Sequence, residues 1–491
     1  MAAQLAPVGV PKGTVRLELE GSLETFDRRF RNGGRESYGT DLSSPALGAD
    51  RIPILADAGL RVGRIIGNPD YRLNLGVLTT DALADVGTGS AGLALGLTSQ
   101  ITIFGRIPLV RARVQTTPSL ISSSGDGGLN PGEDSQLPFF QNFDAALTAL
   151  SDKLAAGDYN ASPATRSLAE ATLADATALR ADLFGLLADP TTASPVVPTS
   201  ASVAGAAVLA RVAGLQNTLD SSLAVPGFTL APALPSAPLD EDGLRQVLAG
   251  PLALRVGESS VTFRGDAEVG AAFTLIDRWD RGNRRGGFRT AVSVLLRLPT
   301  GLRERSDSPL DIGTGDGQTD VQVDLVADIG AGAFGARLGG TYVRQFPTDF
   351  QARVADPSQP FAGLDRLTFV RYNPGDIIAI NVKPFFRLAR TLALQAGVQH
   401  WSRKVDQAFY RSPADALTGV DPGVLTQETA ANATLLSAGI TYSNPGRFRP
   451  GGAGLPVDAS WAYERVLRAG GGRVPATHRV RGQFRVYFGL W

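Results

Sequence analysis

The chain has 491 residues, with 47 basic and 47 acidic side chains, 57 Gly, 31 Pro and no Cys. A formal net charge of zero removes the composition-level case for nucleic acid as a partner, and the lack of Cys excludes disulfides, thiolate metal sites and cysteine catalysis. The chain is too apolar for disorder and too rich in turn residues for a helical bundle, and no run of 18 apolar residues reads as a transmembrane helix.

The opening stretch MAAQLAPVGVPKG lacks the basic and apolar regions of a secretory leader. The chain therefore reads either as a mature form with an added Met or as a cytosolic protein. From residue 14, apolar and polar side chains alternate. Val15, Leu17, Leu19 and Leu23 share one face and Arg16, Glu18, Glu20 and Glu24 the other, which predicts a strand over 14–28. A short helix is predicted over 53–66 from Ile54, Ala58, Val62 and Ile65, in a long loop from which it would plug a lumen. Strands follow over 75–97 and 98–115, joined at Thr98–Ser99.

The block 116–257 differs in kind. Phe143, Leu147, Leu150 and Leu154 follow helical spacing up to Gly157. Ser162 and Pro163 open a second helix as N-cap and first residue, with Leu179, Leu183 and Leu186 as its stripe and Pro190 as its stop. Val208, Val212, Leu215 and Leu219 mark a third, and PTTASPVVPTS between them reads as linker.

Alternation then returns, in strands predicted over 258–277, 286–299, 316–330, 333–346, 367–388, 391–410, 430–443, 456–467 and 478–491. In the first of these, Val261, Phe263, Ala267 and Val269 are placed on one face and Arg264, Asp266 and Glu268 on the other. Connections alternate in length. Those at Thr98–Ser99, 278–285, 331–332 and 389–390 are short. Those at 30–70, 116–257, 300–315, 347–366, 411–429 and 468–477 are long, and 444–455 is longer than a short joint should be. An up-and-down barrel with both termini on one side predicts such a pattern.

The polar faces carry both signs of charge at mid-strand positions. In a closed barrel these would line a lumen, while the apolar faces meet lipid. The predicted fold class is all-β: an antiparallel transmembrane up-and-down β-barrel of about 12 strands, with an inserted α-helical extracellular subdomain. The domains are then 14–115, the N-terminal strands with a helical first loop; 116–257, the helical insert; and 258–491, the C-terminal strands. A strand can end a chain when it closes against the first strand. The terminal aromatic Trp491 resembles the signal read by the bacterial barrel-insertion machinery, although Leu490, Phe488 and Val486 share the lipid face and leave it out of phase. The expected location is the bacterial outer membrane. The expected partners are outer-membrane lipid, the insertion machinery and an extracellular protein meeting 140–250, with no nucleic acid and no cofactor.

LALGLTSQITIFGRIPLV resembles the repeated G-L-T hairpin of the meta-pathway phenol-degradation family of outer-membrane proteins, and LRLPTG at 296–301 with GTGDGQTDVQVDL at 313–325 is similar to another segment of that family. These are relatives in style of long-chain fatty acid transporters. The resemblance covers residues 14–30, 75–115 and 258–491, and it implies a barrel that passes hydrophobic compounds.

Arg16, Glu18, Glu20, Arg264, Asp266, Glu268, Arg297, Asp324, Lys383 and Arg387 are the predicted lumen-lining residues, either as a path for solute or as a salt-bridged filling. His400 and Ser402, two apart on a strand, fall on the lipid face. They are the weak catalytic candidates of a lipid hydrolase, and they resemble the His-x-Ser pair of outer-membrane lipid hydrolases. Arg403 and Lys404 follow where that family usually has Asn-Gly, and a strand end at the membrane interface accounts for the same residues. GTGDGQ lacks the strand-loop-helix context of a phosphate cradle, Asp311, Asp316 and Asp320 lack EF-hand spacing, no metal site is expected, and His478 is placed in a loop. The function predicted first is a channel or transporter for small, hydrophobic compounds. The alternatives are a structural or adhesive surface protein presenting the helical insert, and the lipid hydrolase.

Overall fold

The computed structural model describes residues 8–279, 286–389, 391–444 and 456–490. Trp491, most of the joint at 278–285, part of that at 389–390 and most of 444–455 lie outside the described residues. The alternating segments form twelve antiparallel strands: β1 Thr14–Phe26, β2 Val77–Gly96, β3 Ile101–Ile121, β4 Ala267–Trp279, β5 Gly287–Leu298, β6 Asp320–Ala331, β7 Phe334–Gln345, β8 Ile377–Arg387, β9 Leu392–Arg403, β10 Ala431–Asn444, β11 Val457–Gly470 and β12 His478–Gly489. Each pairs with its neighbours in sequence, and β1 pairs along its length with β12, from Thr14 opposite Gly489 to Thr25 opposite His478. The sheet is thus a closed up-and-down barrel without a free edge.

Period two decides which side chains face in. On β3, Ile103, Ile107 and Leu109 point outward, and the same face turns to Arg111 and Arg113 further along. Ile101 to Leu109 spans about 27 Å of strand, and at the usual tilt that covers most of the roughly 25 Å apolar band of an outer-membrane barrel. Beyond it, β2 and β3 continue as a paired ribbon, Val77–Ala84 against Val114–Ile121, which carries the insert.

Three predicted strands are interrupted. The strand expected over 258–277 breaks at Gly265–Asp266. Arg106 faces Glu268, but Leu109 faces Arg264, so one residue is extra and the register slips as in a β-bulge. A slip of one residue exchanges the two faces. Val261 and Phe263 therefore lie on the inner face opposite Ala112 and Val110, while Val269 and Phe273 point out. The strand expected over 367–388 stops at Asn373 and restarts at Ile377, because Pro374 has no N–H to give the ladder. Leu367–Asn373 leaves the barrel and joins Thr348–Arg353 and Gln407–Tyr410 in a small sheet above the rim. That sheet also takes the end of the strand expected over 391–410.

The helices are α1 Leu55–Ile66, α2 Glu133–Ala156, α3 Pro163–Leu187, α4 Val203–Asn217 and α5 Glu241–Ala249. Ser162 caps α3, its hydroxyl accepting from the Thr165 N–H at 3.3 Å, and Gly157 closes α2 in the left-handed conformation. Three expectations are corrected. α1 does not plug the lumen; its stripe of Ala58, Val62 and Ile65 is buried in the insert's core, where α1 packs on α3 and α4. An apolar stripe gains nothing against a charged lumen. The expected linker is not loose, because Val196 and Val197 are fully buried and pair with Gly127–Leu129. α5, with Leu244, Val247 and Leu248 buried, was not predicted; nine residues carry too short a stripe to stand out.

The main apolar core lies in this helical block, around Phe139, Phe143, Leu150, Leu183 and Leu186, with Phe143 stacked on Phe228 at 4.6 Å. Leu183→Ala should cost the insert about 2–5 kcal/mol through the cavity it opens. The expected outcome is faster proteolysis within 133–250, with the barrel still resisting unfolding by detergent at room temperature on gels.

Candidate functional site: the charged inner face of the barrel

Directly opposed residues share a face, so the register identifies every inward side chain. Two rows of charge run around the wall along the hydrogen-bonding direction. The first is Ser443, Asp458, Arg485, Glu18, Gly92, Arg106, Glu268, Arg297, Asp320 and Gln345, each opposite the next from β10 round to β7. Its charges alternate without exception. Arg106 reaches Glu268 at 2.5 Å, and Arg297 reaches Glu268 at 3.4 Å and Asp320 at 2.9 Å. Arg485 lies 3.5 Å from Glu18, which also pairs with Arg16.

The second row starts with Asp277, Arg289, Asp328, Arg337 and Lys383 on β4 to β8. Gly397 on β9 comes next, by the register that opposes Val382 to Val398. Ser437, Glu464, Arg479 and Glu24 complete it on β10, β11, β12 and β1. Asp328, 2% exposed, takes Arg289 at 2.5 Å and Arg337 at 2.7 Å. Cross-strand pairs of opposite charge contribute about 0.2–1 kcal/mol each. The cost they avoid is larger, since a charge taken from water without a partner is far more expensive than that.

Of the predicted lumen residues, Arg16, Glu18, Glu20, Glu268, Arg297, Asp324, Lys383 and Arg387 face inward. Asp324 is held by neutral donors, Ser293 at 3.3 Å, Gln322 at 2.9 Å and Thr341 at 2.7 Å. Arg387 donates to the Gly332 carbonyl at 2.5 Å and lies over the Trp279 and Phe385 rings. Arg264 does not face the lumen; the slip at Gly265–Asp266 turns it outward beside Leu109, where it donates to the Thr300 carbonyl at 3.1 Å. Asp266 accepts from the Gly301 N–H at 2.8 Å and the Asp316 N–H at 3.2 Å, so its carboxylate serves the loop. The Gly-rich GTGDGQ motif wraps this carboxylate. A Cβ on Gly315 would stand 2.5 Å from its Oδ1, so the motif encloses a group of the chain itself. Among the described residues no cluster suits a metal ion.

Arg106 and Arg337 were missed. Arg106 follows Phe104 and Gly105, and Arg337 lies in the run from Phe334 to Gly340 with three glycines, so the alternation is blurred; the faces opposite those counted in twos from Ile101 and from Leu338 contain them. His400 and Ser402 share the outer face. The His400 Nδ1 is 3.1 Å from the Thr434 hydroxyl, where a triad would need a carboxylate, and His400 and Ser402 form no hydrogen bond with one another among the described residues. His478 is the first residue of β12 rather than a loop residue, with the Tyr463 hydroxyl 2.5 Å from its Nδ1.

Both ends of the barrel hold cavities. At the short-turn end, residues 8–13 cross the inner wall, where the Val10 N–H donates to the Thr102 hydroxyl at 2.8 Å. They border a space of about 500 Å³ lined in part by Lys12, Thr274, Asp277 and Tyr487. At the loop end a space of about 730 Å³ lies among Tyr38, Arg303, Phe350, Tyr372 and Leu254, with the Arg303 guanidinium over the Phe350 ring. Arg353 ties this rim together. It donates to the carbonyls of Leu252, Ala253, Ser306 and Ala362 at 2.7–2.9 Å, joining the insert to two barrel loops. Burial raises the Tyr38 phenol to about 12.

An ionic clasp closes another side of the rim. Glu428 accepts from Arg31 at 2.7 Å and Arg473 at 2.6 Å, and Asp41 takes Arg29 and Arg473 at 2.7 Å each. Burial would raise the Glu428 pKa, but the hydrogen bonds from Arg31 and Arg473 outweigh it and hold it below the usual range.

Neither a protein-family model nor a curated protein sequence matches the chain. Solved structures resemble it. An outer membrane channel from Pseudomonas putida F1 aligns with a TM-score of 0.44 and 11% identity over 99% of this chain and 100% of that one. A Pseudomonas aeruginosa FadL homologue aligns at 0.28 and 9% over 98% and 91%, and a TodX monoaromatic hydrocarbon channel mutant at 0.28 and 10% over 98% and 91%.

A carboxylate whose folded pKa is depressed stabilises the fold above its unfolded pKa and loses that contribution as pH falls through the folded value. The clasp should therefore loosen below about pH 4. The expected outcome is faster proteolytic cutting near 428 and 473 at pH 3.5 than at pH 6, with Glu428→Gln cut quickly at both.

Proposed function

We propose that the chain is a bacterial outer-membrane channel that passes small, hydrophobic compounds. One observation carries this: the burial of the barrel is inverted relative to a soluble protein. Large apolar side chains such as Leu23, Ile107, Ile380 and Phe484 are exposed on its outside, and its enclosed face is charged. Such an exterior is stable in hydrocarbon, and closure satisfies every ladder hydrogen bond that lipid could not. The cavities at both ends give solute a place to enter and leave. Twelve strands leave a narrow bore among inward side chains, which limits the cargo to small molecules. In this reading the short turns lie in the periplasm. The units 14–115 and 258–491 form the pore wall, and the helical unit 116–257 stands outside the cell, where 140–250 is open to a protein partner. The outer face contacts lipid after delivery by the insertion machinery. The inward side chains, among them Arg16, Glu20, Arg297 and Lys383, line the path.

Refolded full-length protein in planar lipid bilayers should give stepwise single-channel conductance, and proteoliposomes should admit small aromatic solutes faster than protein-free vesicles. Protein that migrates as a folded barrel on gels, yet is silent in bilayers and impermeable in vesicles, would end the channel reading.

A further inference from the structure

The second charged row neutralises each of its cations but one. Arg337 and Lys383 stand directly opposite each other on β7 and β8, the only like-charge opposition in either row. Arg337 is engaged by both Asp328 oxygens, at 2.7 and 2.9 Å, and Asp328 is shared with Arg289. That carboxylate has no charge left for Lys383. The other charges near Lys383 are Glu464 and Arg481. Glu464 lies 3.7 Å from Arg479, and Arg481 lies 2.8 Å from Glu20. The Lys383 ammonium has no hydrogen bond or ion pair among the described residues. Like charges set directly opposite destabilise a sheet, and both rows otherwise avoid the arrangement.

The next position in the row is a gap. A Cβ on Gly397 would stand 3.0 Å from the Lys383 Cγ and 2.4 Å from the Ser437 hydroxyl oxygen, so the missing side chain lets the lysine stem and the hydroxyl lie side by side over the glycine. The Ser437 hydroxyl also has no hydrogen-bond partner among the described residues. An ammonium and a hydroxyl thus meet over Gly397, with Arg337 opposite the lysine; the nearest acid in the row, Glu464 opposite Ser437, is already 3.7 Å from Arg479. Leu435 on β10, two residues from Ser437 on the same inner face and half-buried, offers apolar surface beside it.

We propose that Lys383, Arg337 and Ser437 around Gly397 form an anion station in the lumen, and that the cargo is a small organic anion with a carboxylate at one end of an apolar body. The carboxylate oxygens accept from the Lys383 ammonium and the Ser437 hydroxyl, while Arg337 adds positive potential without leaving Asp328. The inference rests on the channel reading and names the cargo's charge. Lysine suits such a station because its ammonium is a mobile point donor, able to hand an anion onward.

Two measurements separate this from the channel reading itself. Titration of benzoate into the detergent-solubilised full chain should show binding that Lys383→Gln weakens at least about tenfold, as expected for loss of a charge-assisted hydrogen bond. Lys383→Arg should retain binding, and Gly397→Ala should weaken it without changing charge. In bilayers under a KCl gradient, the reversal potential should report anion preference in the wild type and shift toward cations in Lys383→Gln. A conducting wild type that binds no benzoate, or binds it equally well in Lys383→Gln, overturns the anion station and leaves the channel standing. A silent barrel that binds benzoate through Lys383 overturns the channel and leaves the station.

Discussion

Closing β1 on β12 commits the whole chain to one arrangement of inside and outside. Once the ring is shut, every strand has one face turned to a confined interior and one turned out, and no strand can slip by one residue without exchanging them. The outward faces are leucine, isoleucine, valine and phenylalanine for most of the wall, so the interior receives the charges. The constraint that follows is electrostatic. Ten strands' worth of charged side chains must be placed in one enclosed space so that each meets its opposite.

The two rows show how that is met. Because cross-strand neighbours are set by register, alternating signs along the hydrogen-bonding direction puts an acid on either side of Arg297 and a base on either side of Asp328. The wall is braced by side chains that a soluble protein would leave in water, and an apolar core is not needed there. The helical block is built the other way, around buried phenylalanine and leucine. The two parts join through the β2–β3 ribbon and through Phe361, a barrel-loop residue buried in the insert's core, and Arg353 adds a polar tie by gathering backbone carbonyls from both.

Departures from the regular wall are local and have visible causes. The extra residue at Gly265 is accommodated by the loop that follows β5, which supplies the Gly301 and Asp316 N–H groups to Asp266. Pro374 separates barrel strand β8 from Leu367–Asn373, which becomes part of a separate small sheet. Both departures sit on the loop side of the barrel, where the rim cavity is also found.

Alternation along β1, β6, β8 and β12 is enough to predict strands and their two faces, because a period of two depends only on the residue sequence, and the alternation of short and long connections with charges at mid-strand points to an even-stranded closed barrel. The capped helix beginning at Ser162 was legible for the same reason, since its signals lie within one turn. The orientation of Arg264 was not legible, because one inserted residue at Gly265 reverses the phase and nothing local marks it. The destination of α1 was not legible either. Its stripe called for an apolar partner, but which partner is a matter of three-dimensional proximity. The pairing of Arg106 with Glu268, and the unneutralised opposition of Arg337 and Lys383, depend on register between strands far apart in the chain or joined through a long loop. Side-chain face is a property of one strand, whereas charge balance belongs to its neighbours, and only the closed barrel decides who those are.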